Sequence, residues 1–294
     1  MKNDLFNFRR FGKYFITDIR TCWANYGLSL LTISVLFPLT AYIVSTSFNL
    51  ILQSTWNGLD IGLRAAVFAT AMICLVVTMP VKCYGKITEK NYGSFWLTLP
   101  ASRLEKFISM ILLTCLIVPV SGALLHIGTD ALICAFDHTC GDNLVTGAVK
   151  LMQKMSEVQE IPLNFVVGNI SIEDVTAAQE IIRQIKNPWM YLDEIFCFTL
   201  PLLMGAVFFK SGKTVKTFLA IFAFSMATSA FFAPLMTNWI MNMAETANND
   251  PTAILEIVNT RLFRNLFLID TVSDTLTNLA LLTGIWLRIK TLKH

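Results

Sequence analysis

Six apolar runs bounded by charged residues dominate the sequence: Leu28 to Leu52, Gly62 to Val81, Phe107 to Phe136, Ile195 to Phe209, Thr217 to Met241 and Leu266 to Leu287. About 20 apolar residues wound as a helix match the hydrocarbon thickness of a bilayer, and in lipid the backbone polar groups must be satisfied within the helix itself. The fourth run is the shortest, and it reaches spanning length only if Trp189 and Tyr191 form its interfacial end, where amphipathic aromatics are favoured. The expected fold is therefore all-α, a polytopic membrane protein with six transmembrane helices. Composition agrees: 54% of the 294 residues are hydrophobic and 15% are charged, against roughly 25% charged in soluble domains. The net charge of +3, with no basic face, argues against a nucleic-acid partner.

Charge placement sets the expected orientation. The N-terminus, the loop 82–106, the loop 210–216 and the C-terminal tail together hold 16 Lys or Arg and four acids, whereas the other side holds 7 basic residues and 16 acids. An excess of Lys and Arg marks the cytoplasmic side, so both termini are expected inside. The first run carries no small-residue cleavage pattern and reads as a retained span. The chain is thus expected as a multi-pass protein of a plasma membrane or bacterial inner membrane.

Four regions follow. Residues 1–27 form a cytoplasmic amphipathic helix: Phe8, Phe11, Tyr14, Phe15, Ile19 and Trp23 recur at helical spacing between Arg9, Arg10, Lys13 and Arg20, a pattern suited to lying in the membrane interface. The alternative is a cytoplasmic helix packed on a partner. Residues 28–136 hold spans one to three, with the loop 82–106 between the second and third. Residues 137–190 form an extracytoplasmic helical insertion, and 191–294 hold spans four to six. In the insertion, Leu144, Ala148, Leu151, Met155 and Val158 trace one helix; Ile172, Val175, Ile182 and Ile185 trace a second, opened by Ser171 and Asp174. Connections this long usually carry structure or function. A further surface helix is expected around Ile254, Ile257, Val258, Leu262 and Phe263.

Enzymatic motifs are missing. Ser211-Gly212-Lys213-Thr214 ends like a phosphate-binding loop, but Val207 stands where the first glycine belongs and no soluble strand precedes it. GxSxG and HExxH patterns do not occur, and there are three histidines, His126, His138 and His294. We therefore expect no ATPase or other enzyme in this chain, and no cofactor. Of the seven cysteines, Cys134 and Cys140 near the outer surface are spaced to permit a disulfide or to remain free thiols. With His138 they make no recognised zinc spacing, so no metal site is expected.

Polar groups within spans need partners. Asp270, Asp274, Thr277 and Asn278 share one face of the last span, and His126 and Asp130 one face of the third, all in the outer half. Asp270, Asp274, His126 and Asp130 either line a substrate path or are solvated or paired with Arg64, Arg261 or Arg264.

The segment before the third span, NYGSFWLTLPASRLEKFISMIL at 91–112, is the most informative in the chain. Tyr92, Phe95, Trp96, Leu97 and Leu99 make an apolar patch ended by Pro100, and Ser102 with Glu105 forms an S-x-x-E capping box for the next helix. An apolar patch flanked by Lys90, Arg103 and Lys106 is expected to meet headgroups or a protein partner.

TLPASRLEKF at 98–107 resembles the LP-x-S-R-x-E element in the cytoplasmic loop between spans two and three of type-2 ABC exporter permeases. The likeness is specific over about 25 residues and architectural elsewhere. It implies a membrane permease subunit whose transport is driven by a separate ABC ATPase subunit, in a homodimer or with a paired permease. It also implies coupling to that ATPase through Tyr92, Phe95, Trp96, Leu97, Leu99, Pro100 and Arg103. The helical insertion between the third and fourth spans departs from the family, which places its external helices between the fifth and sixth. Alternatives are a secondary transporter using Asp270, Asp274 and Asp130, or a non-transporting membrane scaffold or sensor.

Overall fold

The computed structural model describes residues 6–52, 58–157, 188–246 and 263–292. Among these every regular element is helical. Helix α1 (Phe8–Leu31) passes through a π-helical segment, Thr32–Leu36, into α2 (Phe37–Ile51). Helix α3 (Ile61–Tyr84) ends in the 3₁₀ turn Gly85–Thr88 and is followed by α4 (Lys90–Thr98). Helix α5 (Arg103–Ile111) continues through a second π segment, Leu112–Ile117, into α6 (Val118–Phe136). Then come α7 (Leu144–Glu157), α8 (Pro188–Phe208), α9 (Lys213–Thr246) and α10 (Phe263–Thr291). The second helix expected in the insertion (Ser171 to Ile185) and most of the stretch beginning at Ile254 lie outside the described residues.

Local chemistry sets the starts and the irregularities. Asn7 Oδ1 accepts from the amides of Arg9 and Arg10 at 3.0 and 3.3 Å, and Asp60 caps α3 through the Gly62 amide at 2.9 Å. Such caps satisfy amides that a helix start leaves without partners. Each π segment immediately precedes a proline at the second position of the following helix, Pro38 or Pro119. A proline ring collides with the carbonyl four residues back, here Ser34 or Cys115. Widening the turn around that carbonyl removes the collision while the helix continues.

Four helices are long and apolar enough to cross a membrane: Phe8–Ile51, Ile61–Thr88, Arg103–Phe136 and Lys213–Pro234. The expectation of six is therefore met in part. The fourth run supplies the shorter apolar helix Ile195–Phe208 within the 21-residue α8, which includes Trp189 and Tyr191. The sixth run lies in the 29-residue α10, whose apolar sequence is diluted by Asp270, Asp274, Thr277 and Asn278. The boundary expected at residue 28 is not a break, since α1 and the first span are one 44-residue helix.

Helix α8 sits at the centre. Its Leu200, Leu203 and Val207 are fully buried with Leu75 and Met79 of α3 and Ile285 and Ile289 of α10. Close approach depends on glycine at helix crossings: a methyl group at Gly205 of α8 would overlap Thr217 of α9, one at Gly122 of α6 would overlap Leu75, and one at Gly147 of α7 would overlap Ile61 of α3. Small residues of this kind let membrane helices pack closely. Beyond that crossing α9 is largely uncovered, with Phe218, Phe222, Phe224, Phe231 and Phe232 exposed. A helix apolar on all sides and uncovered calls for lipid or another subunit around it.

The segments grouped by charge meet at opposite ends of the bundle. At the basic end, Asp18 accepts from Tyr84 Oη and Ser109 Oγ, both at 2.7 Å, and the thiols of Cys22 and Cys83 lie 3.1 Å apart. At the acidic end, Tyr42 donates to Asp137 at 2.7 Å, and Leu59, Ile133 and Cys140 form a small apolar cluster.

Candidate functional site

The 90–106 segment is held from three directions. Its capping box is present: Ser102 Oγ accepts from the Glu105 amide at 3.2 Å, and Glu105 accepts from the Ser102 amide at 2.8 Å. The same carboxylate also receives the Asn7 amide at 2.8 Å and Arg10 through Nε and Nη2, each at 2.8 Å. Glu105 is 0% exposed. One side chain thus starts α5 and fastens the N-terminal helix to it, a charge-assisted pairing of the stronger kind.

Lys106 is buried beside it and donates to the carbonyls of Trp96 and Leu97 at 2.7 and 3.1 Å, with its ammonium 5.1 Å from the Trp96 ring centre. These are last-turn carbonyls of α4, where a helix end favours a cation. Arg103 Nη1 reaches the Lys290 carbonyl near the end of α10. The short helix α4, Pro100 and the start of α5 are therefore tied to α1 and α10 by polar contacts.

The expected contact residues separate into two sets. Phe95 is 61% exposed and Pro100 is exposed, so both can meet a partner directly. Trp96 is 3% exposed and packs in the main core; Leu97 and Leu99 are half-buried against it. Tyr92 lies on α4. Between α1 and this segment opens a groove of about 720 Å³, with Arg9, Lys13 and Thr17 on one wall and Phe95, Leu99 and Pro100 on the other.

At the acidic end, Arg64 of α3 and Asp130 of α6 form a buried ion pair with Nη1 to Oδ1 at 3.1 Å. Arg64 also donates to the carbonyls of Cys140 and Asp142 at 3.1 and 2.6 Å and to Cys134 Sγ at 2.8 Å. Asp130 accepts from the Leu144 amide at 2.7 Å, capping α7. His126 is buried one turn away, edge-on to Phe68 with ring centres 5.1 Å apart. The cavity beside them encloses about 20 Å³, space for one water molecule. That geometry pins α3, α6 and α7 together. Cys134 and Cys140 are free thiols; burial pushes the Cys140 thiol up from its ordinary value.

Asp274 is half-buried on α10, and Asn278 Nδ2 donates to Cys197 Sγ of α8 at 3.3 Å. Asp270 lies one turn earlier on the same helix. No group of three or more His, Cys, Asp or Glu able to hold a metal occurs among the described residues. Sequence reasoning missed Asp18 and the second role of Glu105, because their partners lie 66 to 98 residues away. No family model matches the chain, and comparison with curated proteins and with solved structures gives no match.

Proposed function

We propose that this chain is the permease subunit of an ATP-driven exporter, with six membrane-crossing helices and both termini in the cytoplasm. A separate ATPase subunit docks on the face formed by Phe95 and Pro100. The observation that carries the reading is the bracing of that face: Glu105 ties it to α1, Lys106 fixes the end of α4 onto α5, and Arg103 ties it to α10. A displacement imposed at Phe95 is therefore passed to several helices at once, as a rigid-body mechanism needs. The uncovered face of α9 is the surface open to a second permease copy.

Trp96 supports the docking face from beneath, so the direct contact falls to Phe95. Phe95→Asp places a charge on the docking surface without disturbing the core. It should reduce co-purification of the ATPase from native membranes at least tenfold, since buried aromatics dominate interface energetics, while the permease yield is unchanged. Undiminished recovery of the ATPase and undiminished transport-stimulated hydrolysis would reject the docking assignment.

A further inference from the structure

At the basic end of the bundle, away from the groove beside Phe95, a second cavity of about 360 Å³ opens between the end of α3 and the start of α9. Lys82, Lys86, Lys210 and Lys213 line it, and Glu89 is the one acid among its lining residues. Lys82 donates to Ser29 Oγ at 2.7 Å, and Lys213 donates to the Gly85 carbonyl and to Thr88 Oγ1 at 2.8 Å. Those acceptors are neutral, so they orient the ammonium groups without cancelling their charge. Among the described residues no carboxylate lies within ion-pairing distance of any of the four lysines, and Glu89 acts on Lys213 only at longer range. Lys86 and Lys210 are exposed at the rim. The first turn of the 34-residue α9 also lines the cavity, after Gly212 turns the chain at φ +59°. Its leading amides and helix dipole add positive potential there.

The position names the occupant. Apolar sequence stops at Val81 and at Phe209, and the cavity lies just past both stops. On the membrane reading above, that is the depth of lipid headgroups. Basic pockets between membrane helices at this depth suit anionic headgroups. We propose that this cavity binds the phosphate of an anionic phospholipid headgroup from the cytoplasmic leaflet, held by Lys82, Lys86, Lys210 and Lys213. The Ser211-Gly212-Lys213-Thr214 turn, which lacks the first glycine of a nucleotide loop, then serves phosphate recognition of a different kind.

The test uses the full chain in nanodiscs and counts retained lipid by native mass spectrometry. Discs contain phosphatidylglycerol and phosphatidylcholine in equal amounts, with or without added inorganic phosphate. The changes Lys86→Gln and Lys210→Gln remove two exposed cations whose side chains form no hydrogen bond or ion pair among the described residues, and Lys290→Gln at the same end serves as the control. The expected result is selective retention of phosphatidylglycerol, lowered about tenfold in the double variant and unaltered in the control. Equal retention by the wild type and the double variant overturns the proposal. Loss of selectivity in millimolar phosphate overturns the lipid as the source and gives the site to a soluble phosphate. Because the readout needs no ATPase, its failure leaves the exporter reading to its own test.

Discussion

Glu105 shows how much one side chain can carry when it is fully buried. It caps α5, receives the Asn7 amide and pairs with Arg10. Removing one partner of a buried ion pair costs about 3–5 kcal/mol; because Arg10 is 37% exposed, its removal should cost less. Glu105→Ala should therefore lower thermal stability in detergent by several degrees more than Arg10→Ala. If the two variants unfold at the same temperature as the wild type, the N-terminal helix is not anchored there. At the other end, Asp130→Asn strands Arg64 in a site where both are buried. We expect a loss of about 3 kcal/mol, read as a lower midpoint of unfolding and a lower yield. A variant of unchanged stability that no longer transports would move Asp130 from a structural role to the substrate path.

At the level of elements, helical periodicity made the amphipathic α1, α7 and the apolar runs legible and the S-x-x-E spacing gave the capping box, whereas the short helix α4 was read only as an apolar patch. The two π segments are tied to Pro38 and Pro119, and in that sense they are written locally. What the pattern could not decide is which neighbour on a short helix turns inward. Phe95 and Trp96 are equally apolar and adjacent on the nine-residue α4. Tertiary packing alone sends Trp96 into the core with Lys106 over its ring. Arg64 was legible as one of three candidate partners for the acids near the span ends, and it pairs with Asp130; its contacts with the 140–142 carbonyls no local pattern announces. The crossing of α8 and α9 supplies a sharper test. Gly205→Ala forces a methyl group onto Thr217, and overpacking of this kind costs about 1–3 kcal/mol. Adding Thr217→Ala should restore part of that loss in the unfolding midpoint. A double variant no more stable than the single one would place the strain elsewhere.

For the whole molecule, the described basic segments meet at one end of the bundle and the described acidic segments at the other. The orientation they imply is open to labelling. In a cysteine-free background, a cysteine at Lys150 on α7 should react with an impermeant thiol reagent in intact cells, and one at Lys216 should react only after permeabilisation. The opposite pattern would invert the bundle and remove the proposed cytoplasmic docking face. The most direct measurement of the proposed coupling face is photo-crosslinking from position 95 in native membranes, with Phe198, an exposed position on the central helix, as reference. The predicted result is an adduct between position 95 and a soluble ATPase subunit, absent from position 198 and lost when ATPase is stripped from the membranes. Adducts from position 95 with lipid alone, in membranes that contain the ATPase, would contradict the exporter reading at its centre.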